Sequence, residues 1–136
     1  MDTLVLHPAV IVHGLPDVRT ALAPGLPATL LSAPGAAVYA GCGFWRALIE
    51  RAQQEFPAAV ITDVLDCADG SGHALAALRV GQRLLVLEHA APGWQAVADI
   101  AAQLGGKVLT TAPLAVDLAQ RGAERRLESW LSGRAG

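Results

Sequence analysis

The sequence predicts an α/β fold in three layers, an α/β/α sandwich with about five mostly parallel strands between helices. Five short apolar runs recur along the 136 residues, and each is followed by a Gly/Pro loop and then by helical periodicity. The runs are mostly apolar rather than alternating, as in parallel strands that are covered on both faces. Strands that alternate with helices imply right-handed crossovers and a parallel sheet.

The predicted strands cover residues 9–13, 28–32, 59–65, 83–88 and 107–110. For five such units we expect the flavodoxin-like strand order 2-1-3-4-5, with the Rossmann-like order 3-2-1-4-5 as the alternative.

The helices between these strands differ in strength. Residues 16–27 contain three prolines, which predicts only one or two turns. A strong helix carries Trp45 on its apolar face and ends at Pro57, and a short helix follows Gly72. Another strong helix has Pro92 in its first turn and a stop at residues 105–106.

The pattern also predicts a last helix that opens at Pro113, with Gly122 weakening it by about 1 kcal/mol relative to Ala. Trp45, Trp94 and Trp130 fall on apolar helix faces, so we predict core or subunit-interface positions for them.

Composition indicates one folded domain over residues 1–136, because 53% of the residues are hydrophobic and only 16% are charged. The 10 Lys and Arg residues against 12 Asp and Glu residues leave no basic field for nucleic acid or for a membrane surface. The few charges on the helix faces favour a homo-oligomer.

The start of the chain, Met1-Asp2-Thr3, has no basic segment of the kind that opens an export signal, and no apolar stretch approaches the ~18 residues that span a bilayer. We therefore expect a cytoplasmic protein, in which Cys42 and Cys67 need no disulfide.

Polar residues follow the strands where the carboxyl edge of a parallel sheet is expected, which is where such sheets bind ligands. Helix capping explains polar residues at these points without any ligand. The predicted ligand-binding residues are His13, Ser32, Gly41, Cys42, Gly43, Asp66, Asp69, Gly70, Gly72, His73 and Glu88. No cofactor and no metal is assigned to them.

Two loops at this edge are rich in glycine. In residues 32–43, Gly41 and Gly43 would free backbone N–H groups for an anion, although a packed turn explains them as well. The run Val64-Leu65-Asp66-Cys67-Ala68-Asp69-Gly70-Ser71-Gly72 resembles the first motif of the S-adenosylmethionine-dependent methyltransferases, with Ala68 in place of the first glycine. The resemblance implies that Glu88 binds ribose hydroxyls.

The sequence contains no C-x-x-C, H-x-x-x-H or G-x-S-x-G pattern. We expect a small α/β domain that binds an anionic metabolite or a nucleotide, with no reaction assigned. The alternatives are a non-catalytic oligomerisation or interaction protein, a methyltransferase-like domain, and a thiol enzyme that uses Cys42 or Cys67.

Overall fold

The computed structural model describes residues 4–133, and strands alternate with helices over this range. The elements are β1 Ala9–Ile11, α1 Leu15–Leu22, β2 Ala28–Leu31, α2 Ala36–Tyr39, α3 Cys42–Glu55, β3 Ile61–Asp66, α4 Ser71–Arg79, β4 Leu84–Val86, α5 Trp94–Gln103, β5 Lys107–Leu109, β6 Ala115–Asp117 and α6 Ala123–Leu131. None of the described helices is long and apolar enough to cross a membrane. The expectation about an export signal rests in part on Met1, Asp2 and Thr3, which lie outside the described residues.

The described strands form one parallel sheet in the order β5-β4-β3-β2-β1-β6. All five predicted strands are present, but both predicted strand orders, 2-1-3-4-5 and 3-2-1-4-5, are wrong. From β1 to β5 each new strand is added beside the previous one in the same direction, and β6 then pairs with the free side of β1. Both predicted orders require the direction of strand addition to reverse once within the first five units. No such reversal occurs between β1 and β5.

The helices lie on one face of the sheet rather than on two. Right-handed crossovers that all advance in the same direction place their helices on the same side. All six described helices contribute to one large apolar cluster, together with Val10, Leu30 and Leu65 from the strands. The opposite face holds a smaller cluster around Leu31, Val64 and Val86, to which no described helix contributes. The described part of the chain therefore has two layers instead of the three expected.

The sixth strand was not predicted, because Pro113 was interpreted as the start of a helix. Residues 110–114, here called the crossover segment, join β5 to β6 at the opposite edge of the sheet. A fully extended chain from the Cα atom of Leu109 to that of Ala115 spans about 21 Å. A flat six-stranded sheet would set its edge strands about 24 Å apart. The sheet must therefore curl, and the smaller cluster, which includes Leu109 and Ala115 from the two edges, fills its concave face.

Several local predictions are confirmed. The helix α3 ends at Glu55, two residues before Pro57, and α1 has two turns as expected for a proline-rich crossover. The stop after α5 also has a packing reason, because a Cβ on Gly106 would collide with the backbone oxygen of Arg83. The single turn α2 lies inside the long loop after β2 and was not predicted.

Each of the three tryptophans packs with the larger cluster and also donates its indole N–H to the sheet region. Trp45 donates to Asp63 Oδ2 at 3.0 Å, Trp94 to the Leu87 carbonyl at 2.9 Å, and Trp130 to the Ala9 carbonyl at 2.8 Å. Trp45 thus has the predicted core position, and Trp94 and Trp130 are half-buried against the core. These bonds fix how α3, α5 and α6 sit against the sheet, and with them the loops that lead into these helices.

Candidate functional site

The carboxyl edge of the sheet holds a cavity of about 490 Å³ between the loops that follow β2, β3, β4 and β5. We call it the acidic cavity. Its lining residues are Pro34, Gly35, Asp66, Ala68, Val86, Glu88, Thr110, Thr111 and Ala112. The crossover segment supplies Thr110 to Ala112, so the return of the chain across the curled sheet forms one wall of this cavity.

Asp66 is the last residue of β3 and is held by the loops around it. Its Oδ1 atom accepts hydrogen bonds from the backbone N–H of Gly35 at 3.2 Å and of Ala68 at 2.9 Å. Its own N–H donates to Ser32 Oγ at 2.9 Å. The side chain of Ser32 therefore joins the ends of β2 and β3. Among the described residues, both hydrogen bonds to the Asp66 carboxylate use Oδ1.

Ala68 connects the loops after β3 and β4. It has a φ of 51°, the left-handed region that favours glycine, and it occupies the position where the methyltransferase motif has its first glycine. Its carbonyl accepts the N–H of Glu88 at 2.8 Å. This bond holds Glu88 at the same cavity as Asp66, on a side chain that is exposed to solvent.

The charge of the acidic cavity is negative. Two carboxylates and two threonine hydroxyls line it, and none of its described lining residues is Lys or Arg. Carboxylate oxygens accept hydrogen bonds from hydroxyl and ammonium groups, whereas they repel phosphate at close range. The lining therefore suits a neutral hydroxylated ligand or a cation better than an anion.

A second, smaller cavity of about 150 Å³ lies beside it, between the ends of β1 and β2 and the start of α3. We call it the imidazole cavity, and its polar lining residues include His13, Ser32, Tyr39 and Trp45. Ser32 lines this cavity and also bonds Asp66 of the acidic cavity. Ala33 and Ala36 line one cavity and Pro34 and Gly35 the other, so one loop separates the two.

The side chain of His13 hydrogen-bonds to an acid at the end of the neighbouring strand. Its Nε2 atom lies 2.7 Å from Oδ1 of Asp117 at the end of β6, and its backbone N–H donates to Asp17 Oδ2 at 2.9 Å. Partial burial raises the pKa of the Asp117 carboxyl, but hydrogen bonds from His13 and from the Ala119 N–H outweigh it and hold that pKa below its usual range. An imidazole oriented by a carboxylate is a suitable group to take up and release a proton.

The structure brings together about half of the predicted site residues. Asp66 and Glu88 line the acidic cavity, and His13, Ser32 and Gly41 line the imidazole cavity. The described linings of these two cavities do not include Cys42, Gly43, Asp69, Gly70, Gly72 or His73. Cys42 packs partly against the core. Gly43, Asp69, Gly72 and His73 are exposed.

Gly70 has a packing role that the sequence did not indicate. A Cβ at this position would lie 3.0 Å from the ring of His73 and 3.2 Å from the Cys67 carbonyl, so the loop after β3 closes tightly on itself here. This glycine allows a close approach of protein to protein. Packing within the protein therefore explains the glycine at position 70, and no bound ligand is needed to explain it.

Sequence reasoning missed Asp117 and Tyr39 as site residues. Asp117 was assigned to the interior of a helix, whereas it ends the sixth strand. The available signal was the short apolar run Leu114-Ala115-Val116, followed by an acid as at the end of β3.

In the described part of the chain, no group of three or more His, Cys, Asp or Glu side chains is arranged to hold a metal ion. The site is therefore a pair of neighbouring cavities, one with two carboxylates and one with a carboxylate-bound imidazole. No model of a known protein family matches this chain, and a search of the curated proteins gives no match.

Proposed function

We propose that the protein binds a small hydroxylated or cationic metabolite, with nucleosides as the leading class, in the acidic cavity. The observation that carries this proposal is the convergence of Asp66, Glu88, Thr110 and Thr111 on one cavity at the carboxyl edge. A volume of about 490 Å³ lies within the range of small-molecule sites. Glu88 would accept hydrogen bonds from vicinal hydroxyls, and Asp66 Oδ2 from a further hydroxyl or amino group.

The proposal keeps the nucleotide-like body of the ligand expected from the sequence but not its anionic charge. A phosphate in this cavity would face two carboxylates, and no described lining residue offers a compensating cation. An unphosphorylated nucleoside avoids this repulsion. A ligand with a positive charge is attracted by the two carboxylates.

A thermal-shift series tests the proposal with adenosine, S-adenosylmethionine and adenosine monophosphate as probes. Because a ligand that binds only the native state raises Tm, we expect adenosine and S-adenosylmethionine to raise it by several degrees at saturation. We expect a smaller effect of adenosine monophosphate. The Glu88→Gln variant should weaken the binding of adenosine about tenfold, as loss of a charge-assisted hydrogen bond does.

Asp69→Asn is the matched control for Glu88→Gln. Asp69 is an exposed acid in the loop after β3 and does not belong to the described cavity lining. Both substitutions remove one surface carboxylate. If they weaken binding equally, or if only adenosine monophosphate binds, the proposed role of the acidic cavity is wrong.

The methyltransferase-like alternative has one observation in its favour. The loop after β3 adopts a left-handed turn at Ala68, and this turn lies at the same cavity as Glu88. This alternative predicts that S-adenosylmethionine and S-adenosylhomocysteine bind with similar affinity and displace one another. Binding of adenosine alone would support the broader proposal and count against the methyltransferase reading.

The alternative of an assembly protein is favoured by exposed apolar side chains around the imidazole cavity. Tyr39 is 69% exposed and Phe44 is 52% exposed, and both line that cavity. We propose self-association through this surface as the second candidate function. Light scattering on the protein and on a Tyr39→Ser, Phe44→Ser variant tests it: a monomeric parent protein would contradict it, and a dimer lost in the variant would support it.

A further inference from the structure

A third cavity, of about 470 Å³, lies along the outer side of β6 and shares no lining residue with the candidate site at the carboxyl edge. We call it the edge groove. Its lining residues are Leu114, Ala115, Val116, Arg125, Arg126, Ser129 and Trp130. None of them lines the acidic or the imidazole cavity. The edge groove is therefore a surface separate from the candidate site.

The groove runs beside an edge of the sheet that is open. β6 pairs with β1 on one side, and no described strand pairs with its other side. Open edges expose backbone N–H and C=O groups, and proteins commonly block them with charged side chains. The opposite edge strand, β5, begins with the exposed Lys107. The one charged residue of β6, Asp117, is engaged by His13 instead.

The floor and rim of the groove are apolar. Val116 and the half-buried ring of Trp130 line it, and the Trp130 ring is fixed by its hydrogen bond to the Ala9 carbonyl. Leu114, the residue before β6, is 87% exposed. An apolar side chain from a partner would cover this residue and gain the free energy of its burial.

Positive charge flanks the apolar floor. Arg125 and Arg126 line the groove from α6, and neither forms an ion pair among the described residues, although Glu124 and Glu128 are close in sequence. By contrast, Arg19 and Arg51 pair with Glu55, and Arg46 pairs with Asp63. The guanidinium charge at the groove is thus available to an outside carboxylate.

We propose that the edge groove binds an extended acidic peptide, which adds to β6 as a further strand. Its backbone pairs with the open edge, an apolar side chain covers Leu114 and Val116, and acidic side chains meet Arg125 and Arg126. The open edge decides in favour of a peptide, because only a backbone offers donors and acceptors at the spacing of a strand. The proposal does not depend on the ligand of the acidic cavity.

Fluorescence anisotropy with a labelled peptide of sequence Asp-Ser-Val-Ser-Asp tests the proposal, with Lys-Ser-Val-Ser-Lys as the comparison. Side chains at alternate positions of a strand share a face, so the charged and apolar side chains can meet the groove together. We expect saturable binding of the acidic peptide that weakens with salt, and no such binding of the basic one. The double variant Arg125→Glu, Arg126→Glu should reverse this preference, with about a tenfold loss for the acidic peptide. Arg79→Glu, on the exposed end of α4, is the control and should preserve it.

Two further results would overturn the proposal. One is a reversal of charge that leaves binding of both peptides unchanged, with circular dichroism showing that the variant is folded. The other comes from a peptide with methylated backbone nitrogens. Strand addition predicts that this peptide does not bind. If it binds as well as the parent peptide and octanoate displaces it fully, the groove is a site for small amphipathic anions. Failure of adenosine to bind would leave both readouts intact.

Discussion

At the scale of single residues, the two cysteines differ in their environment. Cys67 follows β3 and is buried. Burial raises the pKa of its thiol to about 12, and the nearby Asp66 and Cys42 add to the effect. Because the thiolate is the reactive form, Cys67 is unsuited to the role of nucleophile that the sequence left open for it.

We therefore predict that iodoacetamide at pH 8 leaves Cys67 unmodified in the folded protein and alkylates it in urea. Peptide mass spectrometry measures the two positions separately. A Cys42→Ser variant serves as the control, since any label on the folded variant must then lie on Cys67. Alkylation of Cys67 in the folded state at the rate of a free thiol would contradict the prediction.

The residues of the candidate site show what one sequence can and cannot predict at this scale. Asp66 and Glu88 were found because each follows an apolar strand, and such positions meet at the carboxyl edge whichever strands are neighbours. Asp117 was not found, because it approaches His13 only through the pairing of β6 with β1, across a separation of 104 residues. No local pattern encodes that pairing.

At the scale of elements, a polar network joins α3 to two strands below it. Asp63 Oδ2 accepts hydrogen bonds from Trp45 Nε1, from Arg46 Nη1 at 3.1 Å and from Gln82 Nε2 at 2.8 Å. Gln82 is buried and also donates to the Leu84 carbonyl. The carboxylate of Asp63 in β3 thus links α3 to the start of β4.

Replacing Asp63 by Ala should destabilise the protein by about 2 to 4 kcal/mol, because three donors in or near the core lose their acceptor. Urea unfolding measures the change. Asp99→Ala is the matched control: Asp99 is exposed on α5 and accepts one hydrogen bond from Gln95, so its loss should cost no more than about 0.5 kcal/mol. Equal effects of the two substitutions would show that the network does not stabilise the fold.

The helices could be predicted where the apolar periodicity extends over ten or more residues and residues such as Gly or Pro mark the ends. The fourteen residues of α3 and the ten of α5 carry clear apolar faces and ends. β6 has three residues and α2 has four, too few for a period to be read. In addition, Pro113 precedes β6 as it would precede a helix, so a local signal pointed to the wrong element.

At the scale of the whole molecule, the direction of each crossover could not be predicted. The handedness of a crossover is fixed by the twist of the strands, but whether the next strand is added to the left or to the right depends on packing between distant helices. α1, α3, α4 and α5 contact one another in series, which is consistent with a single helix layer. The apolar strands that suggested two helix layers instead bury Leu31, Val64 and Val86 on the other face in the smaller cluster, against which Leu6 and side chains of the edge strands pack.

The length of the crossover segment gives a prediction at this scale. Because residues 110–114 must reach from β5 at one edge of the sheet to β6 at the other, deletion of Ala112 should prevent β6 from pairing with β1 and cost on the order of 3 kcal/mol or more. Insertion of one glycine at the same point should cost only a few tenths of a kcal/mol, since loop entropy grows slowly with length. Thermal unfolding of the two variants compares them. A deletion as mild as the insertion would mean that the segment is slack.

The pairing of β6 with β1 also sets an order of events during synthesis. Of the six described strands, β1 is synthesised before the others, and its outer side is paired by β6, more than a hundred residues later. Until Asp117 has emerged, Ala9–Ile11 is an unprotected edge, and His13 lacks its carboxylate partner. The nascent chain must therefore stay soluble with an apolar strand exposed, and a truncated chain ending before residue 115 would be the species most prone to aggregate.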